Sequence, residues 1–98
     1  MESFKCDRNY IAAVLRDDFT ENWQPPEMGM RREEIDRRSY EHSAFRNILV
    51  IILTSEETPL AALEIFKADM EQRMEKHKMF EITYNMCVWA EDIINSIM

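Results

Sequence analysis

The chain has 98 residues, 46% hydrophobic and 32% charged, with a formal net charge of −7. That length suits one domain rather than two, and one glycine with three prolines is too little punctuation for an all-β fold built on tight turns. The acidity disfavours direct binding to a nucleic-acid backbone, and no apolar run exceeds six residues, against about 20 needed to cross a bilayer.

The first periodic segment is "DRNYIAAVLRDDF". Asp7 is placed to cap a helix over about 8–20, with Tyr10, Ile11, Val14, Leu15 and Phe19 on one face and Arg16, Asp17 and Asp18 on the other. Residues 21–30 then read as an extended linker, because they hold Pro25, Pro26 and Gly29, and a proline pushes the residue before it away from helical geometry. Trp23 is the large apolar group of this linker. It either pins the linker to the core or stands out as a contact residue.

A second helix is expected over about 32–54. Glu33 and Glu34 stand four residues before Arg37 and Arg38, the favourable order for ion pairs along a helix. Its apolar stripe runs Ile35, His42, Phe45, Leu49, Ile52. The β-branched run Ile48 to Leu53 resembles a strand in composition, but no other segment offers a strand partner and the helical phase continues through it. Apolar all round, these turns should be buried all round, within the chain or under another subunit.

The third helix, about 58–76, has Ser55 or Thr58 as cap, Glu56 and Glu57 near its positive end, and Pro59 in its first turn. Its stripe is Leu60, Leu63, Phe66, Met70, Met74. A short break near Lys76–Met79 separates it from a fourth helix over about 80–97, whose stripe is Ile82, Met86, Trp89, Ile93, Ile97 flanked by Ala90 and Ile94. Together these predict an all-α single domain: a small bundle of three main helices plus a short N-terminal helix and an extended linker.

Chemistry-bearing patterns are sparse. Cys6 and Cys87 have no partner at metal or redox spacing; Cys6 reads as a near-terminal bystander and Cys87 as a buried small hydrophobe. With no apolar leader in "MESFKCDRNY", a reducing, cytoplasmic setting is expected. His42 lies on an apolar stripe with only Glu41 and Ser43 beside it, which points to a packed core histidine; a polar pocket around it would be needed for enzymatic chemistry. His77, between two lysines, suits a helix end. No Glu-x-x-His pair occurs, so neither a metal nor another cofactor is expected.

The run "RREEIDRR" packs four arginines into eight residues, nearly cancelled by three acids, and Arg46 extends it along the same helix as a possible anion-accepting face. Arg37 and Arg38, with Trp23 and Trp89, are the candidate interaction residues. The apolar surplus of the second and fourth helices points to a non-catalytic protein–protein interaction module that forms a homodimer, of the size and acidity usual in small bacterial or phage accessory proteins. The competing reading is an acidic decoy of a nucleic-acid-binding protein, with Asp17, Asp18, Glu21, Glu56, Glu57, Glu64, Asp69 and Glu71 standing in for phosphates. Arg16, Lys67 and Arg73 interrupt that array.

Overall fold

A computed structural model describes residues 7–97, all of its regular structure helical. Cys6 lies outside the described residues. The elements are α1 (Arg8–Asn22), α2 (Arg32–Thr54), α3 (Pro59–Met74) and α4 (Phe80–Ile97).

Each helix starts and stops for a local reason. The Asp7 carboxylate accepts from the Asn9 amide at 2.9 Å, satisfying one of the donors left open at the start of α1. α1 runs two residues past the expected Thr20. Its last turn is held by the Asn22 side-chain amide donating to the Asp18 carbonyl and by the Trp23 amide closing on the Phe19 carbonyl. The linker is therefore Trp23 to Arg31, and it is not extended throughout. Met30 N–H turns back onto the Glu27 carbonyl, with Gly29 at φ +87°, a backbone state that favours glycine at that turn position. α2 opens without a side-chain cap, but Glu33 and Glu34 in its first turn complement the helix dipole. Of the two candidate caps for α3, Thr58 does the capping, accepting from the Ala61 amide at 3.2 Å, while the Ser55 hydroxyl accepts from the Glu57 amide and shapes the turn before it.

The first helix is the shortest of the four described, yet it takes a full share in the core. α1 has 15 residues against 16 for α3, and it buries Ile11, Ala12, Leu15 and Phe19. Ile11, Leu15 and Phe19 meet Phe45, Ile48 and Ile52 of α2, Leu63 of α3, and Met86, Cys87, Ala90 and Ile94 of α4 in one core. All four helices thus contribute to it. α3 and α4 make the most extensive contact.

Two apolar faces differ from expectation. On α4 the fully buried line is Cys87, Ala90, Ile94, one residue around from the predicted stripe, and of that stripe only Met86 is buried, with Trp89, Ile93 and Ile97 packed at its flank. In the six-residue run of α2, Ile48 and Ile52 are wholly buried, but Val50 is 57% exposed. The run is not covered all round, because α1, α3 and α4 occupy only part of its circumference.

Arg8 ties the end of α2 to the start of the chain. Its guanidinium donates to the Ile52 carbonyl at 2.6 Å and to the Glu57 carbonyl at 2.5 Å. Ile52 is among the last carbonyls of α2, which lie at the negative end of its dipole. Arg8→Ala should lower unfolding free energy by roughly 1–2 kcal/mol, as expected for loss of charge-assisted hydrogen bonds. Urea titration should show a lower midpoint at unchanged slope.

Candidate functional site

Of the four residues singled out from sequence, Trp23 and Trp89 join one aromatic cluster. Phe19 stacks on Phe45 with centroids 4.0 Å apart and an interplanar angle of 2°, and on Trp23 at 5.2 Å and 14°. Trp23 meets Trp89 edge-on at 4.8 Å, and His42 meets Phe19 edge-on at 4.9 Å. Each such pair contributes about 0.5–1.5 kcal/mol beyond the area it buries. Trp23 is half-buried and pins the linker, and the Trp89 indole N–H donates to the Asp18 carboxylate at 2.5 Å. Asp18, assigned to the solvent face of α1 from sequence, is instead half-buried and engaged.

The arginines divide. Arg38 donates to the Gln24 and Pro25 carbonyls, both at 3.2 Å, and so straps the linker to α2. The expected Glu33–Arg37 and Glu34–Arg38 pairs are not among the ion pairs of the described residues; the pair formed in this stretch is Arg32–Asp36 at 3.8 Å. Arg37 is exposed at a hollow that also touches Trp23, Glu41 and Glu81.

On the other side of Trp23, a cleft of about 620 Å³ opens between α1, the linker and α2. Its walls include Trp23, Pro25 and Pro26, and α2 presents Ser39, His42, Ser43 and Arg46 to it. His42 is thus half-buried at a cleft wall rather than deep in the core, and its Nε2 is buried without a hydrogen-bond partner. No carboxylate is hydrogen-bonded to His42 among the described residues. Among the described residues no cluster of three His, Cys, Asp or Glu side chains could hold a metal ion, and no helix is long and apolar enough to cross a membrane.

A second concavity, about 480 Å³, lies between α2 and α3 and is lined by Ile51, Phe66, Ile65 and Asp69 among others. Ile65 is 63% exposed beside it. Val50, next to Ile51 on α2, is also exposed but does not line this concavity. The carboxylates of the decoy reading are partly consumed by local partners: Asp18 by Trp89, Asp69 by Arg73 at 3.0 Å, and Glu64 by Lys67 at 3.8 Å. No protein family, curated protein or solved structure matches the chain.

Sequence reading missed the one buried acid among the described residues. Glu91 is buried on α4, and its Oε1 accepts from Lys67 Nζ of α3 at 2.8 Å, while Oε2 has no partner. The signal was available: Glu91 sits four residues after Cys87 and beside Ala90, inside the apolar register of α4. The hydrogen bond to Glu91 raises the Lys67 ammonium above its ordinary 10.5. Burial, reinforced by the Glu91 charge, pushes the Cys87 thiol from 9.0 up to about 12.

Both folded-state values are raised, so the associated stability is present at neutral pH and lost on the alkaline side. For Cys87 the loss runs from pH 9.0 to about 12, and for Lys67 it begins above 10.5. Urea midpoints should fall across that window, and Cys87→Ala should flatten the fall. Lys67→Met strands a buried carboxylate and should cost roughly 2–3 kcal/mol, reduced from the fully buried case by the partial exposure of Lys67. Adding Glu91→Leu should recover most of that loss, and a double variant no more stable than Lys67→Met would contradict this account.

Proposed function

We propose that the chain is a non-catalytic protein–protein interaction module that works as a homodimer through the face formed by α2 and α3. The observation that carries this reading is an uncharged apolar surface on a strongly acidic molecule. Asn47, Val50 and Thr54 of α2 are exposed at helical spacing, and Ile65 and Ala68 of α3 stand out beside them. Asp69 is the one charged residue lining the groove between these helices, and Arg73 neutralises it.

The occupant that suits this face is a second copy. Two chains of net charge −7 repel unless they meet where carboxylates are few or paired. A two-fold interface also requires one patch to be its own complement. Here a projecting Ile65 stands next to a concavity floored by Ile51 and Phe66, so a knob and its hole belong to the same patch. The free, buried Cys87 suits a reducing compartment, which supports a cytoplasmic setting.

Absolute mass by light scattering behind a sizing column, over a hundredfold dilution, should report a dimer at micromolar concentration. Ile65→Glu should shift the protein to monomer with its helical content intact, by placing a carboxylate opposite a carboxylate across the axis. A wild-type monomer at micromolar concentration, or a dimer that survives both Ile65→Glu and Val50→Glu, would overturn the proposal.

A further inference from the structure

The cleft beside Trp23 has a composition unlike the rest of the surface. Ser39, His42, Ser43 and Arg46 follow one another at i, i+3, i+4 and i+7, so α2 turns a continuous polar stripe toward it. Opposite stand the Trp23 ring and the Pro25–Pro26 pair, with the linker held in place by Arg38. No carboxylate lines this cleft, although acids outnumber bases 19 to 12 in the chain. Asp36, which shares an adjoining hollow with Ser39 and Ser43, is paired with Arg32. Arg46 is exposed and belongs to none of the ion pairs of the described residues. The buried Nε2 of His42 is a second polar group without a protein partner.

From this juxtaposition we propose that the cleft binds a small ligand joining a flat apolar ring to a single anionic group, carboxylate or sulfonate. The ring lies against the Trp23 and proline wall. The anion is received by Arg46, with the Ser39 and Ser43 hydroxyls as further donors. A guanidinium flanked by hydroxyls gives an anion charge-assisted hydrogen bonds, and the Trp23 and proline wall offers the ring apolar contact. The volume falls within the range usual for small-molecule sites, about 300–1,000 Å³. This site is separate from the α2–α3 face, so it stands or falls independently of dimerisation.

The test uses anilinonaphthalene sulfonate, which carries rings and one anion, and its uncharged counterpart phenylnaphthylamine, each titrated by fluorescence into the folded 98-residue chain. The sulfonate probe should bind saturably at one site per chain. Arg46→Gln should weaken it about five- to tenfold, the scale of one charged contact in a partly exposed site, and change the uncharged probe less than about twofold. Ser43→Trp, at an exposed position, should fill the cleft and abolish both, with near-ultraviolet circular dichroism confirming that the variant is folded. Ile65→Glu should change neither. Absence of saturable binding, indifference to Arg46→Gln and Ser43→Trp, or loss of binding in Ile65→Glu would each overturn the proposal.

Discussion

The fold depends on the ring of Phe19. It lies against Phe45 of α2 on one face and Trp23 of the linker on the other, with His42 and Trp89 at its edges. α1, the linker, α2 and α4 are thereby held at one point. The Asp18–Trp89 hydrogen bond fixes the rotation of α4 about that point, since an indole can donate in one direction only. Proline and tryptophan make the linker a wall instead of a loose tether, because Arg38 satisfies two of its carbonyls and Trp23 is stacked. The neighbouring cleft is a consequence of that wall.

α3 joins by different physics. It has no tryptophan; it buries Leu63 and Met70 and is tied to α4 by the Lys67–Glu91 pair. A buried ion pair with one unsatisfied oxygen contributes little net stability compared with apolar residues of the same size. It does penalise other registers of α3 on α4, because any slip would leave the carboxylate without its cation. α2 is the spine between these two regimes, and its outer side carries both proposed surfaces in succession. Residues 39–46 border the cleft, and Ile51 and Thr54 border the groove against α3.

Charge explains why these surfaces stand out. In a chain with this excess of acids, most concavities acquire a carboxylate, as the hollow near Arg37 does with Glu41 and Glu81. A groove whose one acid is neutralised, and a cleft whose lining holds an arginine and a histidine but no acid, are departures from that background. The first is suited to self-contact and the second to an anion, for the same electrostatic reason.

The helical class was readable from periodicity, because a 3.6-residue repeat of apolar positions is a local property that survives whatever the helices pack against. The reading of Ile48 to Leu53 as helix followed from unbroken phase, and the importance of Trp23 and Trp89 from their size. Local pattern could not decide which side of each helix faces inward when apolar residues exceed one stripe. On α4 that choice fell to Cys87, Ala90 and Ile94, and it carried Glu91 inside with them. Nor could spacing reveal that Arg38 would serve the linker, that Asp18 would meet an indole 71 residues away, or that Val50 would be left uncovered. Those outcomes depend on contacts between distant segments, which exist only once the four helices are assembled.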